Sequence, residues 1–344
     1  MPIQDILNYL VRGERLSASL AEHLFTEMLA GRCDDAQIGA ALAMIQARGV
    51  TPEELAGGAR AMRASLTPVD TSGLPGVVID TCGTGGTPKT FNISTIAALV
   101  VAAAAPGRIH VAKHGNRSRS GRGSAEVLST LGVNVDAGTE VQARCLREAG
   151  VCFCFAIHHH PAAKHAAPAR KSLGFPTMFN LLGPLCNPAG ASRQVVGVFG
   201  ASYVEPMARA LSELGCERAV VVHGLDGMDE ISTTAPSIVA RVEHGELLME
   251  EWDPTQWGIP RAAIVELSAD SLDRASVIAR EVLAARPGPA FDIVALNAAA
   301  ALWVAGIVDD IPEGLNAARS ALHSRAAEKT LEQLIRVSKS DTKG

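Results

Sequence analysis

The sequence has few aromatic residues and little net charge, and both shortages exclude classes of protein. Aromatic side chains make up 4% of the 344 residues, and the formal net charge is −5. Proteins that bind nucleic acids usually present a basic surface or exposed rings on which bases stack. We therefore expect no nucleic-acid partner and assign the basic residues to local sites.

Cysteine pairs and long apolar runs are also lacking. The seven cysteines are an odd number, spread from Cys33 to Cys216 without a C-x-x-C pair, unlike a disulfide framework. The longest apolar run, residues 96–105, is too short to cross a bilayer, and residues 1–5 do not resemble a secretory signal. We expect a cytoplasmic protein with reduced thiols and no membrane partner.

Apolar residues are plentiful at 47%, enough for a large core and a smaller second domain. Residues 3–66 show helical spacing throughout, and Gly13, Gly31 and Gly49 divide them into four short helices. Ser19 with Glu22 and Thr51 with Glu54 have the spacing of capping boxes. Residues 67–76 have the composition of a linker.

The four helices carry more apolar side chains than they can bury among themselves. Two explanations are open: a homodimer interface, or packing against the larger domain. The side chains concerned are Leu20, Leu24, Met28, Ile38, Leu42 and Ile45.

After Gly76, β-branched runs alternate with alanine-rich helical stretches, which predicts an α/β domain with a mainly parallel sheet. The predicted strands are residues 77–80, 109–112, 151–156, 195–199 and 219–223. Residues 164–185 form a helical interruption that is expected to pack on the N-terminal helices. Further helices are predicted at 290–305 and 317–335. The predicted division is a small helical domain, 1–67 joined by helices from about 165–189, and an α/β domain, 76–164 and 190–344.

Two glycine-rich loops flank one apolar helix. The first loop, residues 83–86, follows an apolar run and leads through residues 92–95 into the helix, so that backbone N–H groups converge as they do around bound anions. The second loop, residues 113–124, begins KHGNRS and adds fixed positive charge and hydroxyl groups. Together they predict a site for a bulky phosphorylated ligand.

The first loop nearly matches the P-loop pattern, but Pro88 occupies its last glycine position. Proline has no N–H to donate to a phosphate and cannot adopt positive φ. The same residue disrupts the dinucleotide-binding pattern. We therefore do not expect a nucleoside triphosphate or NAD here.

Two further clusters favour structural roles. His158, His159 and His160 with His165 suggest zinc, but three consecutive histidines cannot all face one ion from a regular element, so the wall of a substrate tunnel is preferred. Cys152 and Cys154 share one face of a strand, as core residues do.

Seven strings, in order, give the chain its resemblance: GTGG, FNIST, AKHGNRS, GSAEVL, HHHPAAKHAAPAR, FNLLGPLCNPAG and DGMDEIS. In nearly its whole length the chain is similar to the anthranilate phosphoribosyltransferases of tryptophan biosynthesis. The resemblance implies the nucleoside phosphorylase II fold, a small helical domain beside an α/β domain. It also implies a pentosyltransferase that moves phosphoribose from phosphoribosyl pyrophosphate (PRPP) to anthranilate and releases pyrophosphate.

The resemblance assigns the site residues as well. Lys113 and Arg117 are expected to be catalytic, Gly83, Asn116 and Arg170 to contact anthranilate, and Ser94, Asp229 and Glu230 to hold two magnesium ions. The positions expected to contact PRPP are Gly83, Gly86, Thr87, Thr90, Asn92, Ile93, Ser94, Thr95, Lys113, His114, Gly115, Asn116, Arg117, Ser118, Ser120, Gly121 and Ser124.

Residue chemistry agrees with these assignments. Charge builds on the departing pyrophosphate, which magnesium, lysine, arginine and backbone N–H groups would stabilise. Asp229 and Glu230 follow a predicted strand, at the edge where α/β sheets bind ligands, although adjacent loop acids are often only solvated. Arg170 suits a benzoate carboxylate, and its alternative is a solvated helix face.

The chain departs from the family pattern in three places. Residues 87–89 are one residue shorter and lack an acid, the second loop is one residue shorter with extra arginine, and Pro176 replaces a common arginine. The lost acid and the added arginine should make the pocket more positive. The three departures leave open a paralogue acting on another aromatic acid, a non-catalytic PRPP-binding protein and, more remotely, a nucleoside phosphorylase.

Overall fold

The structure, a computed structural model, describes residues 1–85, 90–118 and 121–340. Short 3₁₀ segments lie at Pro161–Ala166, Gly183–Leu185, Ala201–Tyr203 and Pro254–Trp257. The α-helices are α1 (Ile3–Val11), α2 (Ala18–Leu29), α3 (Asp35–Arg48), α4 (Pro52–Ala64), α5 (Ile93–Ala104), α6 (Ser124–Leu131), α7 (Thr139–Ala149), α8 (Ala156–His159), α9 (Ala167–Leu173), α10 (Met178–Leu182), α11 (Val204–Glu213), α12 (Ile264–Leu267), α13 (Leu272–Leu283), α14 (Pro289–Val304), α15 (Ile311–His323) and α16 (Ala326–Ser338).

A seven-stranded sheet organises the chain after residue 76. The strands are β1 (Val77–Gly83), β2 (Ile109–Gly115), β3 (Val151–Phe155), β4 (Arg193–Gly197), β5 (Arg218–Gly224), β6 (Ser237–Glu243) and β7 (Glu246–Trp252). Their spatial order is β3-β2-β1-β4-β5-β6-β7. The first five strands in this order, β3, β2, β1, β4 and β5, pair in parallel. The predicted mainly parallel sheet is confirmed.

The strand order places the site. From β1 the chain first adds strands on one side, β2 and β3, and then on the other, β4 and β5. The order therefore reverses between β1 and β4, and α/β sheets bind ligands in the crevice beyond the carboxyl ends of such strands. Both strands end in glycine there, at Gly83 and Gly197.

Two apolar clusters cover the two faces of the sheet. One contains α5, α7 and α13 to α16 with inward residues of β1 to β6, among them Ile79, Val111 and Val220. The other joins α1 to α4, α9, α10 and α11 to Val196 and Val221. The sheet is therefore the middle layer of the α/β part, and the N-terminal helices share the second cluster.

Residues 164–185 pack on the N-terminal helices, as predicted, through contacts of α9 with α3 and of α10 with α4. The apolar side chains for which we considered a dimer are accounted for inside the chain. Leu24, Met28, Ile38, Leu42 and Ile45 are all fully buried, and Leu20 is partly buried against the second cluster. Packing within the protein explains their character, so they give no reason for a partner.

Several local predictions were wrong. Ser17, not Ser19, caps α2 by accepting from Leu20 N, whereas the Thr51–Glu54 capping box is confirmed. The single helix predicted at 317–335 is broken at Arg325, whose φ is 60°, into α15 and α16. The antiparallel strands β6 and β7 were not predicted. Among the described residues no helix is long and apolar enough to cross a membrane.

Candidate active site

The first loop leaves β1 at the crevice and is fixed to β4. Thr84 N donates to Gly197 O at 2.9 Å, and Thr84 Oγ1 accepts from Phe199 N at 2.9 Å. Gly85 then has a φ of 68°, a left-handed conformation that favours glycine. Gly86 and Thr87, two of the predicted PRPP positions, lie outside the described residues, as do Pro88 and Lys89.

The predicted acidic pair lies across these strand ends. A Cβ on Gly83 would lie 2.5 Å from Asp229 Oδ2, and a Cβ on Gly197 would overlap the Asp229 carbonyl oxygen. Only glycine lets Asp229 approach both strands this closely. Gly85 N donates to Asp229 Oδ2 at 2.8 Å, and Ser94 N donates to Glu230 Oε1 at 3.0 Å. The structure therefore brings the first loop, the start of α5 and the acidic pair to one point.

Burial and the neighbouring Asp229 charge raise the pKa of Glu230 to about 8, against the lowering effects of Ser94 and Lys113. The oxygens gathered here, two carboxylates and the Ser94 hydroxyl, are the hard donors that magnesium prefers. Within the described residues no cluster of three or more His, Cys, Asp or Glu side chains could hold a metal alone. A cation at this point would need oxygens from a ligand, as magnesium in phosphate-binding sites does.

Asn297 supports the acidic pair by hydrogen bonds to the backbone of the next residue, Ile231. It was not singled out from the sequence. Its Oδ1 accepts from Ile231 N at 3.0 Å, and its Nδ2 donates to Ile231 O at 2.9 Å. The signal was available, because Asn297 is a buried amide in an otherwise apolar stretch of α14. Buried polar groups need partners, and this one fixes the residue next to Glu230.

Lys113 is the buried cation of the site. Its Nζ donates to Thr81 O and lies 3.4 Å from Ser94 Oγ. Thr81 Oγ1 in turn donates to Ser94 O at 3.1 Å. The ammonium group is thus held at the start of α5, beside the Ser94 and Glu230 contact.

His114, one of the predicted PRPP positions, and Asp80 anchor the start of the second loop. His114 N donates to Asp80 Oδ1 at 3.1 Å, and the His114 ring contacts Gly183 O at 3.0 Å through Nδ1. Asn187 Nδ2 donates to Asp80 Oδ2 at 2.7 Å. Burial raises the pKa of Asp80, opposed by Lys113 and these donors. Neither Asp80 nor Asn187 was singled out from the sequence.

The second loop is exposed at residues 116–118, just beyond Gly115. Asn116 Oδ1 accepts from Arg117 N at 2.8 Å, and the Arg117 guanidinium lies 5.5 Å from the centre of the Phe155 ring. Ser124 Oγ donates to Asn116 O at 3.3 Å. The loop therefore presents Asn116, Arg117 and Ser118 to solvent at the end of β2. Ser120 lies outside the described residues, and Gly121 has a φ of 70°.

The entrance to α5 supplies the remaining predicted positions. Thr90 forms an antiparallel bridge with Ser268, and Asn92 Nδ2 donates to Arg122 O at 3.2 Å. Ile93 and Thr95 are buried in the first turn of α5. Of these residues, Thr90 and Asn92 are partly exposed.

The three residues predicted for anthranilate come from different elements. Gly83 ends β1, Asn116 lies in the second loop and Arg170 lies on α9. The Arg170 guanidinium stacks 4.9 Å from the centre of the Phe179 ring, and its side chain is partly buried. It is therefore a supported arginine and not a fully solvated helix face.

The histidine cluster has three separate sets of contacts. His158 pairs with Asp136 at 3.0 Å, His159 Nδ1 contacts Thr67 O at 2.7 Å, and His160 Nε2 lies 3.2 Å from His114 Nε2. These directions supply no common metal site. His160 instead supports the second loop through His114.

Cys152 and Cys154 are both buried on β3, with their sulfur atoms 3.6 Å apart. The prediction of core packing is confirmed.

Comparison with known proteins identifies the family. Residues 4–66 match the helical bundle domain, and residues 75–328 the a/b domain, of the glycosyl transferase family. Anthranilate phosphoribosyltransferases of Rubrobacter xylanophilus and Methylococcus capsulatus are 45% and 44% identical, each alignment covering 98% of both chains.

Solved structures give the same result. The anthranilate phosphoribosyltransferase of Thermus thermophilus is 38% identical with a TM-score of 0.90, covering 97% of this chain and 99% of that one. The Saccharomyces cerevisiae enzyme, described in complex with PRPP and Mg, shares the fold at 23% identity and a TM-score of 0.86, covering 98% and 97% of the two chains. The chain therefore belongs to the anthranilate phosphoribosyltransferase family of glycosyl transferases.

Proposed function

We propose that this enzyme transfers the 5-phosphoribosyl group of PRPP to the amine of anthranilate and releases pyrophosphate, a step of tryptophan biosynthesis. The observation that carries the proposal is the meeting of the first loop, the start of α5 and the Asp229–Glu230 pair at the crevice between β1 and β4. Relatives that match nearly the full length carry the name of this activity.

Magnesium fits the acidic pair. Asp229, Glu230 and Ser94 would hold two ions together with pyrophosphate oxygens, because the three side chains offer too few ligands by themselves. When bound, magnesium supplies Lewis-acid stabilisation of the negative charge on the leaving group. The Saccharomyces cerevisiae enzyme is described with Mg, which agrees with this assignment.

The chain's own residues supply the rest of the leaving-group stabilisation. Lys113 brings a fixed positive charge to the start of α5, and Arg117 brings a second one from the exposed loop. Backbone N–H groups and hydroxyls of the PRPP positions orient the sugar phosphate. An aromatic amine is already unprotonated at neutral pH, so no general base is assigned. Positioning and electrostatic stabilisation therefore account for the reaction.

Anthranilate is assigned to Arg170, with Asn116 and Gly83 nearby in the proposed pocket. A guanidinium forms paired hydrogen bonds with a carboxylate, and stacking on Phe179 restricts the orientations that Arg170 can adopt. The departures at 87–89 and Pro176 make another aromatic acid the principal alternative acceptor.

The direct test mixes protein, PRPP, magnesium and anthranilate and follows the fall of anthranilate fluorescence. We expect steady-state turnover that needs both PRPP and magnesium. A panel of amino- and hydroxybenzoates identifies the preferred acceptor. Turnover of another acid without anthranilate, or PRPP binding without any turnover, would contradict the proposal.

Three further assignments belong to it. The α/β part, residues 76–164 and 190–344, binds PRPP, while residues 1–67 with about 165–189 form the helical domain. The enzyme works in the cytoplasm as a homodimer through its N-terminal helices; the contact surface would be formed by exposed side chains such as Val11, since the apolar side chains first considered for it are buried within the chain. Light scattering tests the dimer, which should have about twice the 35.8 kDa mass of one chain.

A further inference from the structure

A segment far along the chain, residues 267–269, holds the entrance to α5. Phe91 N donates to Leu267 O at 3.2 Å, and Thr90 bridges to Ser268 in antiparallel fashion. These contacts lie just before the helix that carries Ser94. The segment thus fixes one wall of the proposed phosphate site.

The same segment also holds the second loop, through Arg122. An Arg122 guanidinium nitrogen, Nη1, donates to Ala269 O. The backbone of Arg122 is occupied as well, since its N–H donates to Ser118 Oγ at 2.9 Å and its carbonyl accepts from Asn92 Nδ2 at 3.2 Å. One arginine therefore connects the second loop, the entrance to α5 and residues 267–269.

The support itself is well fixed. Leu267 and Ala269 are buried, and Ser268 Oγ donates to Ile264 O at 2.8 Å across α12. Glu266 caps the start of α12 by accepting from Ala263 N at 2.8 Å. A contact to this segment therefore ties the second loop to the protein core.

From the sequence, the extra arginine of the second loop was expected to make the pocket more positive. The Arg122 guanidinium contacts a backbone carbonyl, Ala269 O. Arginine suits this use because its long side chain ends in several donors, and a hydrogen bond from a charged donor is stronger than a neutral one. A loop already held in its binding geometry loses less conformational entropy when the ligand arrives.

We propose that Arg122 is a positioning residue that fixes the second loop against residues 267–269 before PRPP binds. The proposal rests on the proposed function for the identity of the ligand, but not for the contact itself. Arg122 acts through the loop that carries Asn116 and Arg117 and is not assigned to the substrate.

The test compares Arg122→Ala and Arg122→Lys with the unaltered protein. Hydrogen–deuterium exchange is measured without substrates, and steady-state kinetics with PRPP, magnesium and anthranilate. For Arg122→Ala we expect faster exchange in residues 115–118 and 121–124. We also expect a KM for PRPP raised about tenfold, corresponding to about 1.4 kcal/mol, with kcat, the anthranilate KM and Tm little changed. Lysine, which keeps one charged donor, should restore part of both effects.

Arg286→Ala is the matched control, because Arg286 is an exposed arginine beyond the end of α13 that pairs with Glu281. It should change neither measurement. A raised PRPP KM with unchanged exchange would make Arg122 a phosphate ligand and overturn the proposal, as would unchanged values in both. If Arg122→Ala lowers Tm and impairs kcat and both KM values to a similar degree, the role of Arg122 is purely structural. If the unaltered protein has no turnover, the proposed function fails, and the exchange measurement still decides the role of Arg122.

Discussion

At the scale of single residues, the site depends on charged groups whose neighbours fix their position. Glu230 is the clearest case, because its pKa is raised to about 8 by burial and by Asp229. Folding therefore opposes the charged form of this carboxylate, while the proposed magnesium would favour it. A carboxylate whose charged form is destabilised by the fold contributes little to stability, and such groups are typical of functional sites.

Glu230→Gln should lower kcat on the order of 100-fold, because a magnesium ligand is lost with little change in volume. The amide oxygen can still accept from Ser94 N, so Tm should be equal or higher. Glu251→Gln, at an exposed acid on β7, is the control. Activity and Tm falling together in the Glu230 variant would show that the residue is structural.

Arg170→Ala should raise the KM for anthranilate by about tenfold or more and leave the KM for PRPP within about twofold, since one charged hydrogen-bond partner of the carboxylate is lost. Arg170→Lys keeps the charge but not the paired donors, so its KM for anthranilate should lie between those of the unaltered protein and Arg170→Ala. Initial rates over a grid of both substrates separate the two constants. An unchanged anthranilate dependence would refute the assignment.

The charged and glycine-rich motifs were found from sequence because their chemistry is local. Asp80 and Asn187 were missed because their role appears only when distant segments meet. Asn187, for example, binds Asp80, 107 residues earlier in the chain. Single-sequence patterns carry no information about such pairs.

At the scale of elements, the site requires strand ends without side chains. Gly197 ends β4 directly under Asp229, and its backbone lies too close to the Asp229 carbonyl oxygen for a Cβ. An added methyl group must displace the loop that carries Asp229 and Glu230. A shift of about 1 Å at a catalytic group can cost about 100-fold in rate.

Gly197→Ala should therefore lower activity at least about 100-fold and weaken magnesium dependence. Gly39→Ala is the matched control, because Gly39 lies in α3 with open space around its Cβ position, and alanine favours helix there. Steady-state rates measured over a range of magnesium concentrations report both the activity and its magnesium dependence. Full activity in the Gly197 variant would mean that the loop does not need its place across β4.

Element types were predicted where the periodicity was strong, and boundaries were less reliable. The five parallel strands stood out because they are mostly buried and rich in β-branched apolar residues. The hairpin β6–β7 carries several charges, and β7 is mostly exposed, so neither strand shows a run of apolar residues. Ser17 and Ser19 offer the same capping chemistry two residues apart, so sequence alone could not choose between them.

At the scale of the whole molecule, two buried histidines join the second loop to residues 160–183. Burial, with repulsion from neighbouring histidines, lowers the pKa of His114 to about 3 and that of His160 to about 4. In the unfolded chain both titrate near 6.5. Below pH 6.5 the unfolded state binds more protons than the folded state. The contribution of these histidines to the free energy of unfolding is therefore fully present above pH 6.5 and is lost as the pH falls towards 4 and 3.

Lowering the pH from 6.5 to 5 should thus cost roughly 2 kcal/mol for each of these histidines, as an upper figure. Urea unfolding at the two pH values measures it. His160→Gln can still donate to His114 and does not titrate, so its acid sensitivity should be smaller. His244→Asn, at an exposed hairpin position with φ 49°, should leave the pH dependence unchanged. Equal acid sensitivity in all three proteins would contradict this explanation.

The overall architecture was predictable because composition, helical spacing and strand alternation agree, and the family resemblance added the arrangement of domains. The α/β class, the helical N-terminal group and the return of residues 164–185 to it are confirmed. The sequence could not show which segment packs against each apolar side chain. Leu42 and Ile45 look equally apolar whether they face a partner chain or their own core.

The most direct test of the account is a crystal structure of the enzyme with PRPP and magnesium. We expect the pyrophosphate between the two glycine-rich loops, with magnesium bound to Asp229 or Glu230 and with Lys113 at the start of α5 beside it. PRPP bound away from the β1–β4 crevice, or magnesium bound without either carboxylate, would contradict the account.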